Sequence, residues 1–174
     1  MRIRPLALIL VSASVVAASP VFAQFGGGGL VLSGSEGVPT LAYGLDFGGI
    51  ARQRDRYRLR LPAQTVAVAE IQINADEVFD AIIDPKAVRV EAEGQPVALR
   101  EVFWSPEFRA LEVAFQDPIP SGQRIEVILS NVRNPNEGNI YRLRANLLGT
   151  EPNPIFRTVG NWLVTIEPRR EKSF

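Results

Sequence analysis

From Arg56 onward, apolar and polar side chains alternate along the chain with a period of two. Tyr57, Leu59 and Leu61 point one way, Arg56, Arg58 and Arg60 the other, and Pro62 ends the run. Such alternation marks a strand with one face buried and one face wet. Val66 and Val68 alternate, and so do Ile71 and Ile73, but with a slip of phase between the pairs that predicts a β-bulge. Val88 and Val90 resume a strand. Glu93-Gly94-Gln95-Pro96 is a turn signal, and Val97 and Leu99 begin the return. Trp104-Ser105-Pro106-Glu107 interrupts the next run. Leu111, Val113 and Phe115 then form a strong strand whose side chains are expected to face inward. Asp117-Pro118-Ile119-Pro120-Ser121-Gly122 reads as a turn.

Ile125, Val127 and Leu129 make another strand, followed by a polar loop over Asn131–Asn139. Tyr141, Leu143, Ala145 and Leu147 alternate with Arg142, Arg144 and Asn146. Pro152 and Pro154 mark a further loop, and Trp162, Val164 and Ile166 form the last strand before Pro168. Leu41, Tyr43, Leu45 and Phe47 supply a first strand upstream. Ala75–Ile83 departs from the pattern: Phe79, Ile82 and Ile83 have the spacing of a helical face, which predicts a short helical turn or an irregular crossing. Seven to eight short strands with almost no helix predict an all-β fold, an immunoglobulin-like antiparallel β-sandwich, with a small β-barrel as the alternative.

The N-terminus follows a different pattern. Arg2 and Arg4 precede an apolar run from Leu6 to Ala18, and Val21 and Ala23 place small residues where a signal peptidase needs them. The run is short for a membrane span of about 20 residues. The expected organisation is a signal peptide at 1–23, a flexible Gly-rich arm at 24–40, a β-sandwich domain at 41–168 and a charged tail at 169–174. Gly26–Gly29 lacks the pattern of a phosphate loop and reads as linker. No segment after the leader is long and apolar enough to span a membrane as a helix.

Composition narrows the chemistry. The chain contains no cysteine and no histidine, which removes thiol chemistry, the commonest general base and the commonest metal ligand. Taking Arg2 and Arg4 from the 19 basic residues leaves 17 against 19 acidic ones, so the processed chain has no cationic surplus for nucleic acid. No cofactor is expected.

Tyr57-Arg58-Leu59-Arg60-Leu61-Pro62, the turn Asp117–Gly122, and Val132-Arg133-Asn134-Pro135 leading to Gly138-Asn139-Ile140-Tyr141 occur in that order. Together they resemble a family of exported cyanobacterial proteins known as a domain of unknown function (number 2808), over residues 40–167. The resemblance implies a secreted or envelope location. It implies no activity and no catalytic residues.

Arg52, Arg54, Arg56, Arg58 and Arg60 recur at every second position, and Arg142 and Arg144 repeat the pattern later. Arg54, Arg56, Arg58, Arg60, Arg142 and Arg144 are the candidate anion-binding residues, because guanidinium forks suit carboxylate, sulfate and phosphate. A solvated sheet face, partly neutralised by acids such as Glu112 and Glu126, accounts for the same pattern. Asp76, Glu77, Asp80 and Asp84 read as acids on a solvated turn, calcium ligation being the alternative. Trp162 is in phase with Val164 and Ile166 and is expected in the core; Trp104, in a proline-flanked break, is the better candidate for exposure, though burial is the expectation for it too. Three function classes follow. The first is a non-catalytic binding or interaction module of the periplasm or outer envelope, partnered by an anionic polysaccharide or another envelope protein. The second is a structural subunit joined by strand addition, and the third a carboxylate-dependent hydrolase.

Overall fold

A computed structural model of the chain describes residues 37–170. The expected signal peptide, most of the Gly-rich arm and residues 171–174 lie outside the described residues. The strands are β1 (Tyr43–Leu45), β2 (Arg54–Leu61), β3 (Val68–Ala75), β4 (Val88–Ala92), β5 (Gln95–Pro96), β6 (Leu99–Ser105), β7 (Ala110–Ile119), β8 (Ile125–Arg133), β9 (Asn139–Gly149) and β10 (Arg157–Ile166). They form two five-stranded sheets, ordered β1-β2-β8-β4-β5 and β10-β9-β3-β7-β6. Every pairing between these strands is antiparallel. The architecture is an immunoglobulin-like sandwich, and neither sheet closes into a barrel. Among the described residues ten strands stand where seven to eight are predicted, and the shortest, β5 and β1, have two and three residues.

Alternation explains the core. Tyr57, Leu59 and Leu61 of β2 face inward with Val127 and Leu129 of β8, toward Leu111, Val113 and Phe115 of β7 and Trp162 of β10. Each is at least 98% buried, and burying one such aliphatic side chain stabilises the fold by about 1.5–3 kcal/mol. Trp162 keeps its polar atom satisfied by donating Nε1–H to the Arg60 carbonyl at 3.1 Å. Trp104 is half-buried against the core.

The segment before β2 joins the sheets along one side. Leu41 donates to the Asn161 carbonyl of β10, and Asn161 donates back to Pro39. Two residues later the chain pairs with β2 as β1. It returns to the second sheet where Glu167 donates to Gly49 and Ala51 donates to Glu167. Gly49 has φ +63°, and a Cβ there would lie 2.6 Å from Leu45 Cδ1, so both the conformation and the close approach favour glycine.

The expected bulge in β3 falls between Val68 and Glu70. A second one, unforeseen, lies between β2 and β8: Asp55 pairs with Val132 and Tyr57 with Leu129, so Arg56 faces both Ser130 and Asn131. Asn131 takes φ +62° there. Of the two readings of Ala75–Ile83, the irregular crossing holds and the helical turn does not: Phe79, Ala81 and Ile83 are buried while Ile82, bridged to Arg133, is exposed. Three local expectations are corrected. Asp117 and Pro118 belong to β7, and the turn comes at Ser121-Gly122. Asn131–Arg133 continue β8, which shortens the polar loop. Phe47 lies beyond β1 and is exposed.

Candidate functional site

Arg54, Arg56, Arg58 and Arg60 all leave β2 on the outward side, because Asp55, Tyr57, Leu59 and Leu61 are buried between them. Arg52 does not extend the row. It sits in the preceding turn at φ +65°, donating to the Asn136 carbonyl and pairing with Glu137.

Most of the row is neutralised in place. Asp46, just beyond β1, accepts from Arg58 Nε at 2.9 Å and from Arg56 Nη1 at 3.3 Å. Glu126 of β8 lies in register with Arg60 and accepts from Arg60 Nε at 2.9 Å and Arg58 Nη1 at 3.1 Å. The result is an alternating chain Arg56–Asp46–Arg58–Glu126–Arg60. Accepting the Arg58 hydrogen bond holds the Asp46 carboxyl below its ordinary value, and the two carboxylates hold the Arg58 proton more firmly. Exposed pairs of this kind contribute about 0–1 kcal/mol each, so they fix geometry more than stability. Glu112, the other expected neutraliser, lies on β7 of the second sheet, where Gln72 donates to it.

The Arg54 end of the row differs. Arg54 is in register with Arg133 of β8, and Arg89 of β4 lies across β8 in register with Ile128. Ile128 faces outward yet is buried between Arg58 and Arg89, an apolar patch covered by arginine stems. Among the described residues, none of Arg54, Arg89 and Arg133 forms an ion pair. Beside them opens a hollow of about 410 Å³, lined by Phe47, Arg54, Arg56, Arg89, Ser130 and Asn131 among others. Arg56 stacks over Phe47 with its guanidinium carbon 5.8 Å from the ring centre.

Asp55 is itself among the residues lining the hollow and braces its wall. That buried carboxylate accepts from the backbone N–H groups of Phe47, Gly49 and Arg56 at 2.9, 2.7 and 2.7 Å. It therefore fixes the loop carrying Asp46 and Phe47.

Arg142 and Arg144 stand on β9, in the second sheet, and so do not continue the β2 row. Arg142 pairs with Asp76 at 3.1 Å. The acids around it have separate tasks: Asp80 accepts from Asn136, and Asp84 caps the 3-10 turn at Pro85–Ala87. Sequence reasoning missed Asp46, Asp55, Arg89 and Arg133. Arg89 had a readable signal, being the polar position between Val88 and Val90, but only the strand order brings it beside β2.

A two-layer antiparallel sandwich of immunoglobulin-like type, carrying an arginine-lined outer face, is the class that fold and site define. The chain belongs to the family described as Protein of unknown function (DUF2808), whose model matches residues 31–166. No curated protein matches it in sequence. Among solved structures it is similar to BslA, a bacterial hydrophobin, at 10% identity and a TM-score of 0.47, over 75% of this chain and 98% of that one. It is also similar to the collagen-binding domain of a Staphylococcus aureus adhesin, at 9% identity and a TM-score of 0.42, over 72% and 95% of the two chains. A Nocardia farcinica protein with an immunoglobulin-like fold is similar at 9% identity and a TM-score of 0.43, over 73% and 97%. These likenesses concern the fold. Among the described residues, no helix is long and apolar enough to cross a membrane.

Proposed function

We propose that the chain is an exported, non-catalytic module of the cell envelope that binds acidic groups on a polymer or surface through the outer face of its first sheet. The observation that carries this reading is the charge balance of that face. Arg54, Arg56, Arg58, Arg60, Arg89 and Arg133 stand there against Asp46, Glu91 and Glu126. A chain with no overall cationic surplus thus concentrates positive charge on one sheet face, which favours an anionic partner. Export rests on the leader pattern of residues 1–23 and on the resemblance to an exported cyanobacterial family. The non-catalytic reading is supported by the absence of histidine and cysteine from the sequence and by the engagement of Asp46 and Glu126 in ion pairs.

The test is co-sedimentation of the processed chain with an acidic polysaccharide at low and moderate salt. Binding should weaken steeply with salt, since exposed charges are screened over about 8 Å at physiological ionic strength. Replacing Arg142 and Arg144 together by Gln, on the opposite sheet, should leave binding unchanged. No binding at low salt would overturn the proposal.

A second reading, a structural subunit joined by strand addition, is favoured by one feature. Among the described residues β6 pairs with no strand but β7, which leaves it at an edge of its sheet, and it carries the exposed Phe103. Self-association in light scattering, lost when Val102 in β6 is replaced by Pro, would support it.

A further inference from the structure

We infer that the hollow at the Arg54 end of β2 is a discrete site for a tetrahedral oxyanion, a sulfate or phosphate group borne on a polymer. The inference rests on the reading of this face as anion-binding and names the group and the residues that take it.

Three arginines line the hollow from two strands, Arg54 and Arg56 on β2 and Arg89 on β4, and the one acid in the lining, Asp55, is taken up by three backbone N–H groups. Between those strands runs β8, and its bulge supplies Ser130 and Asn131 to the same hollow. The bulge matters because it sets two β8 residues opposite Arg56, which puts a hydroxyl and an amide where regular pairing would leave one side chain. Arg56 is held in place by Asp46 and by the Phe47 ring. Arg54 and Arg89 are exposed and form no ion pair among the described residues.

The donor set decides between anions. A carboxylate has two oxygens in one plane and is satisfied by a single arginine fork. Three forks, a hydroxyl and an amide arranged around a concavity suit a group with oxygens on several sides and up to two charges. The hollow, at about 410 Å³, has room for the sugar or linker that carries the group. Farther along β2, Arg58 and Arg60 are paired with Asp46 and Glu126, so the Arg54 end is where the row's charge is left for a ligand.

The experiment is an NMR titration of the processed chain, observing backbone amides and arginine Nε–H groups, with inorganic sulfate, inorganic phosphate and acetate. Dextran sulfate, a carboxylated polysaccharide and anionic phospholipid vesicles are compared by co-sedimentation. Sulfate or phosphate should shift Arg54, Arg56, Arg89 and Ser130 saturably, and acetate should bind more weakly. Arg89→Gln should weaken sulfate and dextran sulfate binding by about tenfold, the scale of one charge-assisted contact. Ser130→Ala should act in the same direction, with unchanged melting temperatures showing that both variants fold. Preference for vesicles over dextran sulfate would overturn the polymer assignment. If both polysaccharides bind equally and Arg89→Gln changes nothing, the oxyanion site is wrong while the anionic face stands. If no anion binds at low salt, both fall.

Discussion

The Tyr57 hydroxyl donates to Asn134 Oδ1 at 2.8 Å in the interior of the sandwich. Asn134 in turn donates its amide to the Ile50 carbonyl at 2.9 Å and its backbone N–H to Gln53 at 2.8 Å. One side-chain pair thus ties the end of β8 to the loop that leads into β2, and so seats Arg54. Burial raises the Tyr57 phenol far above its ordinary value, with the nearby Asp55 charge adding to the effect, so the hydroxyl stays a donor.

Tyr57→Phe should therefore destabilise the fold by about 1–3 kcal/mol, the cost of leaving a buried acceptor unpaired. Urea denaturation measures it. A loss no larger than that of an exposed substitution would show that the Asn134 amide finds another partner.

Asp55→Ala should cost roughly 2–3 kcal/mol or more, because it removes hydrogen bonds to a charged group and strands three backbone donors. It should also loosen the loop that carries Asp46 and Phe47. Hydrogen exchange at the Phe47 and Gly49 amides should quicken in this variant, and unchanged protection there would refute the role given to Asp55.

The inward faces were legible in the sequence because burial of one sheet face imposes a period of two. The inward set Tyr57, Leu59 and Leu61 on β2, and the set Leu111, Val113 and Phe115 on β7, follow from that alone. What was not legible depends on contacts between distant segments. Asp55 sits in phase with Tyr57 and looks like an error in the pattern until the loop donors converge on it. Phe79, Ile82 and Ile83 have helical spacing, yet an isolated bridge to Arg133 orders the segment without a helix and leaves Ile82 exposed. Pro118 signals a turn, but the bulge opposite Ala69 lets β7 continue through it. The arginine row was visible as a period, and Glu126 as an outward acid on a neighbouring strand, whereas Asp46 and Arg89 join it only through the order β1-β2-β8-β4.

Phe115→Ala should destabilise the protein by about 3–5 kcal/mol, the usual range for truncating a buried phenylalanine. Phe115 is 2% exposed on the inward face of β7. Thermal and urea unfolding of the variant check this, and a loss below about 1 kcal/mol would contradict the packing of that strand.

Processing is expected between Ala23 and Gln24. Ala23→Arg should block cleavage, because the peptidase pocket accepts only small side chains there. Mass spectrometry of protein recovered outside the cytoplasm should find Gln24 at the N-terminus. Recovery of chains that retain Met1 would refute the leader assignment.

Glu70 should give the stability a pH dependence of unusual sign. It lies on the outer side of the second sheet, where burial raises its pKa, Glu112 and Glu101 raise it further, and Arg100 opposes them. The native state therefore holds this proton more tightly than the unfolded chain does. Between the ordinary glutamate value and the raised one, the native state carries more protons, so this group's contribution to stability falls as pH rises. Glu93 acts in the opposite sense. Hydrogen bonds from Arg124 lower its pKa to about 2, so its contribution is present above the ordinary glutamate value and is lost as pH falls toward about 2. Glu70→Gln removes the first effect without changing shape. The variant should be more stable than the parent near neutral pH, and the advantage should shrink once the pH drops below the ordinary glutamate value, where both chains are neutral at this position. Urea denaturation of both chains across that range measures the difference. An advantage that is absent near neutrality, or that persists unchanged in acid, would show that the fold does not disfavour the charged form of Glu70.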